Sequence, residues 1–221
     1  MNALRIILLA GCALIANSVL ADTPDGAAIA RQGNGHGVAP CMACHAADGG
    51  GQAAAGFPRL AGLPQAYLRK QLDDFANGAR INATMQPVAN ALSDAERDAL
   101  ADYYSKLPVP NASIASATPS GNVAQLAQTL AVRGRWPDGL PACEQCHGPG
   151  GVGVGDHFPP LAGQSSMYLG NELRAWQQGS RRNDPLQLMH TVASKLSEAD
   201  IAAISAWYAA QPANVTEEPQ P

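Results

Sequence analysis

Apolar positions recur at helical spacing along this chain, and the same arrangement appears twice. Tyr67, Leu68, Leu72 and Phe75 fall on one face of a helix that follows Pro64 and stops at Gly78, where a C-cap is expected. Tyr168, Leu169, Leu173 and Trp176 repeat that face. Each copy closes with a further helix. Ser93-Asp94-Ala95-Glu96 is a capping box, and Ser197-Glu198-Ala199-Asp200 is a looser form of it. Residues 25–32 and 122–133 predict a helix ahead of each set, ending in Gly-rich chain, and runs of β-branched residues are few. The pattern predicts an all-α fold.

The repeat extends beyond periodicity. Phe57-Pro58-Arg59-Leu60-Ala61-Gly62 returns as Phe158-Pro159-Pro160-Leu161-Ala162-Gly163, and Gly78-Ala79-Arg80 returns as Gly179-Ser180-Arg181, in the same order. Two domains of about 90 residues are expected, at 22–107 and 122–212. Residues 108–121, rich in Pro, Ser and Ala, would join them, and 213–221 would form a tail.

The chemistry lies in a motif that also occurs twice, Cys41-Met42-Ala43-Cys44-His45 and Cys143-Glu144-Gln145-Cys146-His147. In C-x-x-C-H, two thiols on one helical turn add to the two vinyl groups of a haem, and the adjacent histidine ligates the iron. Two covalent haem c groups are predicted. A zinc site is disfavoured because Cys44 and Cys143 are far apart in sequence and a His follows each pair. A thioredoxin-like pair would need a βαβ setting, and a disulfide framework would not place every remaining Cys inside these motifs.

The opposite face of each iron decides between carrying electrons and binding small molecules. Met85 and Met189 occupy matched places downstream of His45 and His147, each four residues before an Ala. They are the expected sixth ligands, and a thioether raises the reduction potential. His190 and His157 compete in the second copy, but Gln86 stands opposite His190 in the first. His36 and His157 read as solvated loop residues, and Met167 as core. Pro58 and Pro159 are expected to offer the carbonyl that holds the other ring nitrogen of each proximal histidine. Arg80 and Arg181 are expected either to pair with haem propionates or to face water.

The first 21 residues have a basic start, an apolar stretch over 6–20 and Val19-Leu20-Ala21 at the cleavage position, the form of a secretory signal. Cleavage there removes Cys12 and leaves 13 basic against 18 acidic residues. The periplasm is the expected location. The acidic balance excludes a nucleic-acid partner, which needs a basic stripe.

Taken together, the paired C-x-x-C-H motifs, the Phe-Pro-x-Leu-Ala-Gly segments, the Tyr-Leu helices ending in Gly-x-Arg, the downstream methionines and the Leu-Ser openings of the last helices resemble the dihaem cytochromes c4. The resemblance implies two class I cytochrome c domains related by a pseudo-two-fold axis. It implies a monomeric periplasmic electron shuttle rather than an enzyme, loosely membrane-associated in some members. A quinol-oxidising complex or a dehydrogenase would be the donor, and a terminal oxidase or reductase the acceptor. The alternatives are a dihaem peroxidase or thiosulfate dehydrogenase, in which one haem must be open, and a haem subunit of a dehydrogenase complex.

Overall fold

The structure is a computed structural model that describes residues 23–110 and 119–213. The expected signal segment, most of the linker and the end of the tail lie outside the described residues. Ten α-helices are described: α1 (Gly26–Gln32), α2 (Met42–His45), α3 (Gln65–Asn77), α4 (Met85–Asn90), α5 (Asp94–Lys106), α6 (Gly121–Gln128), α7 (Glu144–His147), α8 (Ser166–Gln178), α9 (Leu188–Ala193) and α10 (Glu198–Ala209). Among the described residues there are no strands beyond isolated bridges.

Local chemistry sets the helix ends. The Asp25 carboxylate accepts from the N–H groups of Ala27 and Ala28 and caps α1. Both capping boxes form, Ser93 with Glu96 and Ser197 with Asp200. The shorter Asp reaches back as well as Glu does, so the second box is as complete as the first. Pro64 is the cap of α3 rather than its first residue, and Ser165 fills that role in α8 by accepting from the N–H of Tyr168. Gly78 and Gly179 end these helices in the left-handed conformation. The expected helix over 122–133 divides into α6 and a π-helical turn, Thr129–Arg133.

Each half has its own core. Ile29, Leu68, Leu92, Leu100 and Tyr104 pack together in the first, and Leu130, Leu140, Leu169, Ile204 and Tyr208 in the second. These are small cores, as expected where a large apolar cofactor completes the interior.

The halves meet at matched residues. Arg80 and Arg181 form an antiparallel bridge. Beside it the Ile81 N–H donates to the Ser180 carbonyl and the Arg182 N–H to the Ala79 carbonyl, both at 2.8 Å. Because each donor and acceptor is the repeat counterpart of the other, the pseudo-two-fold axis passes between the two arginines.

Candidate haem sites

Each C-x-x-C-H motif forms one short helix, α2 or α7, preceded by its first cysteine in helical geometry. The turn brings Cys41 and Cys44 to one place in the first half and Cys143 and Cys146 to one place in the second. All four are free thiols.

Behind each motif the chain returns to hold the histidine. The His45 Nδ1–H donates to the Pro58 carbonyl at 3.0 Å, and the His147 Nδ1–H to the Pro159 carbonyl at 2.8 Å. A carbonyl can only accept, so this contact fixes the proton on Nδ1 and leaves the Nε2 lone pair for a metal. Phe57 and Phe158 pack edge-on against the rings, with centroids 6.1 and 6.3 Å away. Burial lowers the pKa of both histidines, against the opposing effect of the carbonyl contacts. They are therefore held neutral, the form that ligates.

Glycine makes the return possible. The Gly51 N–H donates to the His45 carbonyl and the Gly153 N–H to the His147 carbonyl, at 2.9 and 2.7 Å. Both glycines have positive φ, and an added Cβ would come within 2.5 Å of the Pro58 backbone at Gly51 and 2.8 Å of the Pro160 backbone at Gly153. A side chain at either position would push the proline segment off its histidine.

The methionines sit on matched helices. Met85 opens α4 and Met189 lies one residue into α9, both half-buried. The Asn82 side chain accepts from the N–H of Met85, and the Asp184 carboxylate from that of Met189. His190 is exposed, with Nδ1 against the Trp176 carbonyl at 3.0 Å. His36 and His157 are exposed, in accord with the sequence.

The surroundings suit haem. Tyr104 and Tyr208 are buried with their hydroxyls beside the Cys41 and Cys143 thiols, and the buried Nε1–H of Trp207 lacks a hydrogen-bond partner. A buried donor is rarely left unpaired, and a cofactor with polar groups at one edge could satisfy the Trp207 N–H. Paired thiols on one helical turn and a neutral imidazole with Nε2 unengaged fit a covalently bound haem in each half.

One expectation is narrowed and one is corrected. Arg80 and Arg181 do not face water; they are buried between the halves, at 5% and 8% exposure, each stacked on its own aromatic ring, Phe75 or Trp176. Arg80 donates to the Tyr168 hydroxyl at 2.9 Å, and Arg181 reaches the Tyr67 hydroxyl at 3.4 Å. Met167 is not core. It is 49% exposed and lies near Gly56 of the other half.

The sequence reading missed the residues that break the symmetry here. Glu172 accepts from both arginines, at 2.8 and 2.7 Å, whereas its counterpart in the repeat is Gln71. Burial would raise the Glu172 pKa, but the charges of Arg80 and Arg181 outweigh it and hold the carboxyl below its ordinary value. Arg59, opposite Pro160 in the repeat, donates from its side chain to the Ala61 and Ala162 carbonyls, at 2.6 and 3.1 Å. Its backbone exchanges hydrogen bonds with the Gln164 side chain. The available signal was the mismatch of each pair within an otherwise faithful repeat.

Comparison with known proteins agrees with this architecture. The cytochrome c family matches residues 30–108 and 140–209. A thiosulfate dehydrogenase electron acceptor from Thiomonas intermedia is 52% identical, covering 81% of this chain and 82% of the relative. A protein of the same description from Stutzerimonas stutzeri is 48% identical, covering 91% and 93%. Cytochrome c4 of Pseudomonas aeruginosa is 38% identical, covering 77% and 83%. Among solved structures, a thiosulfate dehydrogenase from Marichromatium purpuratum superposes with a TM-score of 0.78 and 42% identity over 87% of this chain. The match spans only 41% of that longer chain. Reduced cytochrome c4 from Pseudomonas stutzeri gives a TM-score of 0.70 at 34% identity, covering 77% and 93%. With both halves matched and relatives aligned across both attachment motifs, the chain belongs to the cytochrome c family, as a dihaem electron carrier of the cytochrome c4 type with two covalent haem c groups.

Proposed function

We propose that this protein accepts electrons from a thiosulfate dehydrogenase in the periplasm and passes them to a terminal oxidase or reductase. The observation that carries this reading is the 52% and 48% identity to two proteins described as electron acceptors of that enzyme, over alignments that span most of both chains.

In this reading Cys41 and Cys44 would hold one haem and Cys143 and Cys146 the other, with His45 and Met85, and His147 and Met189, as the residues that would ligate the irons. Each haem supplies an iron that cycles between ferric and ferrous. The chain's own residues do the rest. The Pro58 and Pro159 carbonyls orient the histidines, and the Met85 and Met189 thioethers, as ligands, would favour the reduced state and leave no place for a substrate. The inter-half contact keeps the two sites in fixed relation. The domains are taken as 22–107 and 122–212, with residues 1–21 as an export signal. Among the described residues, no helix is long and apolar enough to cross a membrane.

The test is reduction of the purified ferric dihaem protein by thiosulfate in the presence of a thiosulfate dehydrogenase. Both haems should be reduced in an enzyme-dependent reaction that thiosulfate alone does not support. No acceleration by the enzyme would overturn the reading.

A further inference from the structure

The two halves present different surfaces at the helix that carries the methionine. In the second half, Arg135, Trp136, Pro137, Asp138 and Gly139 form a tight 3-10 turn. It is pinned to the chain just past α9: Arg135 donates to the Lys195 carbonyl and pairs with Asp200, and Lys195 Nζ donates to the Asp138 carbonyl at 2.7 Å. The turn leaves Trp136 59% exposed. At the other end of α9, a segment three residues longer than its counterpart before Met85 carries Leu186 and Leu188, 76% and 46% exposed. Six residues of α-helix span about 9 Å, so these apolar side chains flank Met189 from both ends of its helix.

The first half is built alike but surfaced differently. Its corresponding loop is pinned past α4 by the Asn34 side chain, which donates to the Ala91 carbonyl at 2.9 Å. That loop offers Gly35, His36 and Gly37 in place of the tryptophan, and Ala83 and Thr84 precede Met85. Of the eight most exposed large apolar side chains among the described residues, seven lie in the second half, Ile81 being the other. The asymmetry is too one-sided to be the scatter of single apolar residues found on any surface.

We propose that Trp136, Leu186 and Leu188 form the docking surface for the dehydrogenase, so that electrons enter at the second haem. The inference rests on the function proposed above and names the surface through which it works. Three observations select this occupant. The surface surrounds the helix that bears Met189, so a partner seated there is brought to the second haem. Arg135 is already paired within the chain, with Asp138 and Asp200, and Lys195 is held on the Asp138 carbonyl, so the exposed Trp136 offers a partner an aromatic anchor of the kind that dominates interface energies. Finally, the dehydrogenase from Marichromatium purpuratum contains a unit like this chain within one longer polypeptide, so a unit of this kind is found working beside that enzyme.

The experiment measures stopped-flow reduction of the ferric holoprotein by a thiosulfate dehydrogenase with thiosulfate. It compares wild type with Trp136→Ser, Leu186→Ser, the double variant, and the first-half variants His36→Ser and Ala83→Ser. The double variant should lose about tenfold or more in second-order rate, within the range over which interface variants move association rates. Its reduction by ascorbate should be unchanged, and the first-half variants should match wild type. A double variant reduced at the wild-type rate, or first-half variants that are slowed, would overturn the assignment. If Trp136→Ser does not accumulate with two haems, Leu186→Ser, on an exposed loop, carries the test alone by the same criteria. If the enzyme fails to reduce wild type, which ascorbate still reduces, the donor itself is wrong and the docking surface falls with it.

Discussion

Within each half, the haem-binding machinery is copied faithfully. The two halves share the attachment turn, the Pro carbonyl behind the histidine, the edge-on phenylalanine, the glycine that lets the loop close and the capping box of the last helix. Between the halves and on the outer surface, the copies diverge. Glu172 stands opposite Gln71, Arg59 opposite Pro160, and the longer loop before Met189 opposite the short one before Met85. The difference separates two kinds of constraint. Holding a haem demands the same atoms in each domain, so drift there is costly. A contact across a pseudo-two-fold axis uses each pair of matched positions twice, and one negative charge between two arginines can be supplied from only one side.

The largest test of this comparison removes one haem. Cys41→Ser with Cys44→Ser should yield a protein carrying a single haem by mass. The first half should lose its cooperative thermal transition by circular dichroism, because its small core is completed by the cofactor. The second half should retain its own transition. If both halves melt as in wild type, the haem is not a structural element of its domain.

The next test makes the interface symmetric. Glu172→Gln leaves two buried guanidinium groups facing amides and should cost about 3–5 kcal/mol in denaturant unfolding, the usual consequence of removing one partner from a buried ion pair. Acid should reproduce the effect in wild type. The folded-state pKa of Glu172 lies below its ordinary value, so the stabilisation is fully present above the unfolded carboxylate pKa of about 4.3 and disappears as pH falls through the lower folded value. The wild-type stability curve should drop below about pH 4, and the variant should lack that component.

A smaller effect is expected at Arg59. Arg59→Met keeps the apolar stem but strips the donors from the Ala61 and Ala162 carbonyls. Leaving these buried acceptors unpaired should cost about 1–3 kcal/mol by chemical denaturation. The reciprocal Gln164 contacts to the Arg59 backbone should survive, because they do not use the side chain.

The smallest and most even effect should come from the caps. Ser93→Ala and Ser197→Ala should each cost about 1 kcal/mol, read as similar shifts in melting temperature of the respective halves. Unequal shifts would mean that the two boxes, alike in geometry, differ in how far their helices are held by packing.

The copied features were the ones legible in the sequence. C-x-x-C-H fixes its chemistry by spacing alone, and the repeated Phe-Pro segment that follows each motif pointed to the carbonyl contact that both histidines make. The capping boxes were equally plain. The interface was not legible, since Arg80 and Arg181 carry no local signal of burial. Long charged side chains usually face water, and only the fold brings Arg80 of the first half against Glu172 and Arg181 of the second. Met167 misled for the opposite reason: an apolar residue on an amphipathic helix reads as core, yet it lies at the seam against Gly56. The π-helical turn after α6 was invisible too, because a single shift in hydrogen-bond register leaves no mark on apolar periodicity.

The most direct test of the electron-carrier account is an optical and potentiometric titration of the holoprotein, with carbon monoxide added to the reduced form. Two low-spin haems showing the weak red band of Met/His ligation, with positive potentials and no carbon monoxide binding, are the predicted result. A high-spin or low-potential haem that binds carbon monoxide would contradict the account, because one distal face would then be open to chemistry.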